Sequence, residues 1–226
     1  MNTDNMSILG LTIDYGPYGW LENFDPTWTP NTTDRQNKRY RFENQPNIAL
    51  WNLYQLANAL YPLIEASEPF EKVLKEFQSG FQKDYQKMML SKIGLFKSDI
   101  SVDFITELTD IMVESDVDMT IFYRNLSDIQ TRLSFNNLWE VIVDASYKDK
   151  NELEDMYDSW SSWFSSYALL LEEEGLNPEN RMNQMKEINP KYVLRNYMAQ
   201  LAIEASEKGD HSLIDELYQL LKNPYD

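Results

Sequence analysis

The sequence predicts a mainly α-helical domain that follows an irregular, loop-rich N-terminal segment. Three observations predict this division. Glycine and proline are concentrated in residues 1–45, apolar residues recur at helical spacing from Pro46 onward, and Asn-Pro or Gly-Asp pairs separate the later helical patterns. The chain has 226 residues, 42% of them hydrophobic, which is enough to bury a substantial core. We therefore expect loops in residues 1–45 and helices in residues 46–226.

The N-terminal segment contains one short apolar run and one long loop. The run SILGLTI, residues 7–13, is bounded by turn signals and is typical of a buried strand or hairpin. The stretch DYGPYGWLENFDPTWTPNTTD, residues 14–34, has no regular periodicity, and its aromatic content indicates an ordered loop. Irregular loops of this length are usually functional or disordered. The sequence therefore predicts a short β-hairpin followed by a functional loop.

The helical patterns share apolar residues three and four positions apart. They cover residues 46–65, 70–88, 101–112, 119–129 and 150–174, and three more follow Asn177-Pro178, Asn189-Pro190 and Gly209-Asp210. Ser101 or Asp103 is a suitable N-cap for the third helix, and Gly175 is a plausible C-cap. The stripe of Trp160, Trp163 and Phe164 is expected to lie in the core rather than to bind a ligand.

Composition excludes several classes of function. The net charge of −17 repels nucleic acid and anionic membrane surfaces, and no apolar run approaches the roughly 18 residues of a membrane span. The chain has no cysteine, which excludes disulfides and Cys-ligated metals, and the single histidine, His211, is expected to be a surface or capping residue. We expect a cytoplasmic protein with no nucleic-acid or membrane partner.

Asp4, Asn5 and Asp14 are the residues most suggestive of chemistry. Oxygen ligands on either side of a short hairpin can converge on Mg²⁺, which prefers one or two carboxylates together with substrate phosphates. Asp14-Tyr15-Gly16 resembles the DFG element of protein kinases, and the upstream Asp-Asn pair resembles their catalytic base and metal ligand. Asp and Asn are also ordinary turn and capping residues, so the pattern alone leaves both interpretations open.

Longer stretches resemble one known family. The runs MNTDNMSILGLTIDYGPYGWLENFDP, FENQPNIALWNLYQLANAL, NPKYVLRNYMAQLAIEASEKGD and LLKNPYD closely resemble the selenoprotein O family, also called the YdiU family. The resemblance implies a protein-kinase-like (pseudokinase) fold that transfers AMP from ATP to Ser, Thr or Tyr hydroxyls of proteins. It further implies that Asp4 is the proton acceptor, that Asn5 and Asp14 bind Mg²⁺ or Mn²⁺, and that Asp14 also lies near the nucleotide phosphates.

The sequence departs from the family pattern at both ends. The resemblance implies a preceding nucleotide-binding half, the N-lobe, and a C-terminal Cys or selenocysteine, and neither is present in these residues. We therefore expect residues 1–226 to be the C-terminal portion of the domain, with a kinase-like C-lobe and a C-terminal helical extension. Its partners would be ATP, protein substrates and the missing N-terminal half. Bacterial members are expected in the cytoplasm and eukaryotic members in mitochondria.

Three hypotheses stay open. The chain is an adenylyltransferase part that is inactive by itself, or a catalytically inactive truncated remnant that acts as a helical interaction module. The third is an ordinary kinase that transfers the γ-phosphate, which would use the same base and Mg²⁺ ligands. In each case we expect an exposed apolar face where the other half is absent. The basic stretch with Arg35, Lys38, Arg39 and Arg41 is expected to be a solvated loop, although it could also contact phosphates or an acidic substrate.

Overall fold

The computed structural model describes residues 2–9, 19–30, 36, 38–97 and 100–226. Most of them are helical, which confirms the mainly α prediction. The helices are α1 (Gln45–Ile64), α2 (Glu68–Lys92), α3 (Val102–Glu114), α4 (Met119–Asp128), α5 (Phe135–Ala145), α6 (Lys150–Glu154), α7 (Tyr157–Glu174), α8 (Pro178–Ile188), α9 (Asn196–Glu207) and α10 (Ser212–Leu221). Short 3-10 turns cover Thr3–Asn5, Phe42–Asn44 and Gln130–Arg132.

β-structure in the described part of the chain is limited to two isolated bridges. Asn23 pairs with Asp118, and Val117 pairs with Ser146. Residues 7–9 of the predicted hairpin form no strand, and the rest of that hairpin lies outside the described residues. No helix among the described residues is long and apolar enough to cross a membrane.

The chain divides into two compact units. The first contains Met1–Gly19 and Asp25–Tyr85, and the second contains Trp20–Phe24 and Gln86–Asp226. The first unit therefore holds α1 and most of α2, whereas the second holds α3 to α10.

The first unit leaves much apolar surface exposed. Pro46 lies in the first turn of α1, as predicted, because its missing N–H needs no helical partner there. Asn52 is the buried residue of α1, whereas Trp51, Tyr54 and Tyr61 of the same helix are each more than 40% exposed. On α2 an aromatic ladder runs along the helix through Phe77, Phe81 and Tyr85, with centroid separations of 6.4 and 6.0 Å. These exposed faces agree with the expectation of an uncovered apolar surface.

The second unit has a closed aromatic core centred on α7. Trp160 and Trp163 are almost fully buried, which confirms that this stripe belongs to the core. Trp163 stacks on Phe104 of α3 at 5.2 Å and on Tyr167 at 4.9 Å. The Trp160 indole N–H donates to Ser115 Oγ at 2.9 Å, which satisfies a polar group that would otherwise be costly to bury.

Capping residues account for several helix boundaries in the second unit. Ser101 accepts a hydrogen bond from the Asp103 backbone N–H and caps α3, as predicted. Gly175 has a φ of 68°, the left-handed conformation that ends α7. The single pattern predicted over residues 150–174 is two helices. Asp149 and Glu152 form a capping box that starts the short helix α6, which ends at Glu154, and α7 begins at Tyr157. Helix α5, capped by Ser134, is absent from the predicted patterns.

Candidate functional site

Asp4 and Asn5 lie together on the 3-10 turn Thr3–Asn5. The Asn5 backbone N–H donates to the Asn2 carbonyl at 3.1 Å and closes this turn. The Asp4 side chain is exposed, and Asn5 is partly buried. Asp14 lies outside the described residues, so whether its carboxylate meets Asp4 and Asn5 stays a prediction. The turn presents an accessible carboxylate beside an amide.

A buried amide of α1 contacts the far end of this turn. Asn52, which is 4% exposed, donates from Nδ2 to the Met6 sulfur at 3.0 Å. Its Oδ1 accepts a hydrogen bond from Arg39 Nη2 at 3.2 Å. Because Met6 directly follows Asn5, the contact ties the turn to the rigid helix α1. Both functional groups of the buried amide are therefore satisfied.

Arg39 contributes a second connection between the turn and α1. Its Nη2 lies 3.5 Å from Oδ1 of Asn2, the residue before the turn, and its guanidinium lies 4.4 Å from the centroid of the Trp51 ring. Gln45 Nε2 donates to the carbonyls of Arg39 and Arg41, which holds this part of the loop against the start of α1. The prediction of a solvated basic loop is therefore wrong for Arg39, because helix α1 supplies an aromatic face and an amide acceptor.

The other basic residues of that loop differ from Arg39. Arg41 forms an ion pair with Glu43 at 2.9 Å, and both side chains remain substantially exposed. Lys38 is exposed and adopts a positive φ of 46°. Arg35 lies outside the described residues. Only Arg39, among the described basic residues of this loop, contacts the residues that flank the Asp4 turn.

The donor set of the turn suits a hard cation. Amide and carboxylate oxygens are the ligands that Mg²⁺ prefers, and the metal usually takes only one or two of them from the protein. Within the part of the chain that is described, no group of three His, Asp or Glu side chains is arranged to hold a metal ion. A site formed by Asn5 and Asp14 with substrate phosphates would not require such a group.

A separate polar cluster lies in the second unit, around Asp118. Asp118 is fully buried, caps α4 by accepting from the Thr120 and Ile121 backbone N–H groups, and forms an ion pair with both terminal nitrogens of Arg195. Tyr147 donates its hydroxyl to Asp118 Oδ2 at 3.0 Å. Burial, together with the charge and hydrogen bond of Asp118, raises the pKa of Tyr147 to about 12.

The same region holds the segment Trp20–Phe24, which follows the DYG element in the chain. Asn196 accepts from the Trp20 backbone N–H at 2.9 Å and donates to the Trp20 carbonyl at 2.8 Å, as a neighbouring strand would. Glu22 accepts from the Asn196 backbone N–H. The Phe24 N–H donates to the Val117 carbonyl at 2.7 Å. One side chain thus replaces a strand partner for this segment.

Sequence reasoning did not identify the contact between Arg39 and Asn52 in the first unit. It also did not identify the contacts of Asp118, Arg195 and Asn196 in the second unit. Asp118 precedes a helical pattern, so its capping role has a local signal. Its pairing with Arg195 joins residues 77 positions apart and has no such signal. His211, expected at the surface, is exposed, with Nδ1 2.8 Å from Ser206 Oγ.

Comparison with known proteins identifies relatives along the whole chain. The family model described as protein adenylyltransferase SelO matches residues 1–222. A protein nucleotidyltransferase YdiU from Flavobacterium johnsoniae is 56% identical over 227 residues, which is 100% of this chain and 44% of the relative. Similarly named proteins from Rhodopirellula baltica and Aromatoleum aromaticum are 47% and 44% identical, again over 100% of this chain and 44% and 43% of their own lengths.

The chain spans less than half the length of the curated relatives that it matches. The match extends over the whole chain and therefore includes the Asp4 turn, helix α1 and the Arg195 region. The resemblance found from the quoted motifs is therefore confirmed by an independent comparison. The chain belongs to the family described as protein adenylyltransferase SelO.

Proposed function

We propose that this chain supplies the catalytic base and the metal ligands of a protein adenylyltransferase. The observation that carries the proposal is the match of the SelO family model to residues 1–222, which includes the Asp4 turn. The names of the relatives support nucleotide transfer as the general reaction. Transfer of AMP to Ser, Thr or Tyr hydroxyls is the specific form that we propose.

Asp4 is the proposed proton acceptor. A protein hydroxyl oxygen attacks the α-phosphorus of ATP, the bond between the α-phosphorus and the bridging oxygen breaks, and pyrophosphate leaves. The hydroxyl proton passes to the Asp4 carboxylate, which is exposed and therefore accessible to a protein substrate. A general base of this kind contributes about 10²- to 10⁴-fold to the rate.

Asn5 and Asp14 are the proposed ligands of Mg²⁺ or Mn²⁺, with Asp14 also close to the ATP phosphates. Bound there, the cation would neutralise charge on the phosphate oxygens. Asp4 and Asn5 are neighbours on one 3-10 turn, which the hydrogen bond from the Asn5 backbone N–H to the Asn2 carbonyl closes. We further propose a kinase-like C-lobe, with the ATP-binding elements supplied by the polypeptide that relatives carry outside the matched region.

The test uses ATP radiolabelled at either the α- or the γ-phosphate, with casein as a generic hydroxyl-bearing acceptor. The chain is assayed alone and together with the part of the Flavobacterium johnsoniae relative that lies outside the match, and the intact relative is the positive control. We expect protein-bound α-label in the mixture and little with the chain alone. Asp4→Asn and Asp14→Asn should each reduce labelling at least about 100-fold. Asp84→Asn, an exposed carboxylate on α2, is the matched control and should retain activity.

The alternatives predict different labels. Protein-bound γ-label without α-label would identify a kinase and overturn the proposal. If the intact relative is active but the mixture is inactive, the result would favour the non-catalytic interaction module. Full activity of Asp4→Asn would remove the assigned base.

A further inference from the structure

We propose that Asn52 and Arg39 are positioning residues that hold the Asp4–Asn5 turn in its productive orientation. This inference rests on the proposed function for its catalytic consequence, but its structural part can be measured without any activity. Neither residue carries a role in the reaction itself. Their contribution is the geometry of the turn.

The two residues hold the turn at both of its ends. Arg39 contacts Asn2, immediately before the turn Thr3–Asn5, and Asn52 contacts Met6, immediately after it. Arg39 and Asn52 also bond to each other at 3.2 Å. The turn is therefore held directly by α1 at its Met6 end and through Arg39 at its Asn2 end, which restricts the rotation of Asp4.

The burial of Asn52 supports a role beyond helix formation. Asparagine is a weaker helix former than alanine or leucine, and burying an amide is unfavourable unless it is hydrogen-bonded. Asn52 is nevertheless the buried residue of α1, while larger apolar residues of that helix, such as Trp51 and Tyr54, are exposed. The most buried side chain of α1 is therefore an amide, and it contacts the residue that follows the Asp4 turn.

Arg39 is itself fixed in place. Its guanidinium is planar and stacks over the Trp51 ring, while its backbone carbonyl accepts a hydrogen bond from Gln45 Nε2 at 3.1 Å. A lysine at this position would keep the positive charge but could not both stack on the ring and donate in a fixed plane. The arrangement thus depends on the shape of arginine as well as on its charge.

The consequence for catalysis follows from the precision that phosphoryl chemistry requires. A displacement of about 1 Å can reduce a rate about 100-fold, and supporting residues on rigid elements provide that precision. Loss of the anchor should therefore lower kcat for AMP transfer by about 10- to 100-fold. The KM for ATP should change much less, because neither residue is assigned to nucleotide binding.

The first experiment measures amide hydrogen exchange of residues 2–9 in the 226-residue chain. Asn52→Ala and Arg39→Ala should accelerate exchange of this peptide, whereas Asn58→Ala, at an exposed position of the same helix, should leave it unchanged. Arg41→Ala is the matched control for Arg39, since Arg41 pairs with Glu43 instead. Unchanged exchange in both anchor variants, with wild-type protection present, would overturn the inference.

The second experiment measures kcat and KM in the active mixture described above. Asn52→Asp keeps the acceptor for Arg39 and loses the donor to Met6. Its kcat should therefore lie between the values of wild type and Asn52→Ala. Arg39→Lys should have a kcat only slightly higher than that of Arg39→Ala. An inactive wild-type mixture would overturn the proposed function and leave the exchange result to decide the anchor. Wild-type kcat in both alanine variants would overturn the catalytic part of the inference.

Discussion

Replacement of Arg195 by alanine is the most informative stability test, because it leaves a buried carboxylate without its cation. Asp118 is fully buried, and the Arg195 side chain is only 13% exposed. Breaking a buried pair by removing one partner typically costs about 3–5 kcal/mol. Asp118 would keep three donors at 3.0 Å, from the Thr120 and Ile121 backbones and the Tyr147 hydroxyl, so we expect the lower end, about 3 kcal/mol.

The measurement is urea unfolding followed by near- and far-ultraviolet circular dichroism. In a parallel thermal scan, a loss of about 3 kcal/mol corresponds to a fall in Tm of about 6–12 °C for a chain of this size. Arg132→Ala is the matched control, because Arg132 is exposed, and it should change the free energy of unfolding by less than about 0.5 kcal/mol. Asp118→Asn, which keeps the capping acceptor, completes a double-mutant cycle with Arg195→Ala.

A cost of less than about 1 kcal/mol for Arg195→Ala, with an unchanged native spectrum, would contradict a buried ion pair, since that is the range of solvent-exposed pairs. Absence of coupling between the two residues in the cycle would also contradict it, because the pair would then contribute nothing beyond its separate side chains.

Two further predictions concern the second unit. Gly94→Ala should lower the free energy of unfolding by about 1–3 kcal/mol in the same urea assay, because Gly94 has a φ of 77° and an added Cβ would lie 2.7 Å from the Arg181 side chain and the Met185 sulfur. Gly175→Ala should lower the free energy of unfolding less than Gly94→Ala does, because an added Cβ at Gly175 would lie in open space. Stability should also fall as pH rises from about 10 to 12, because the unfolded state releases the Tyr147 proton while the folded state, with its raised pKa, retains it. Tyr147→Phe should reduce this loss of stability. If the variant and wild type lose stability equally over this pH range, Tyr147 is not its cause.

Most helices were predictable because their signals are local. Apolar spacing identified α1 to α4, and Ser101 and Gly175 were recognised as caps from their type and position. The prediction of one helix over residues 150–174 does not separate α6 from α7, and the aromatic stripe from Trp160 to Tyr167 lies in α7 alone. Helix α5 carries Leu138, Val141, Ile142 and Ala145 on one face, so its spacing is also a local helical signal.

The candidate site was predictable only in part. The residue types and motif around Asp4, Asn5 and Asp14 indicated their proposed roles, and the structure places Asp4 and Asn5 on one turn. Arg39 was assigned to a solvated loop because charged residues in loops are usually exposed. What changes its environment is the Trp51 ring and the Asn52 amide, which come from a helix that begins later in the chain.

The sequence by itself determined where most helices lie, which family the chain belongs to, and which residues are candidates for the base and the metal ligands. These properties depend on spacing within a few residues or on short motifs. Tertiary structure alone decided that Asn52 meets Met6, 46 positions away, and that Arg195 meets Asp118, 77 positions away. The physical reason is that a helix forms through hydrogen bonds between residues four apart, so its signal is local in the sequence. A long-range pair depends instead on the path of the whole intervening chain.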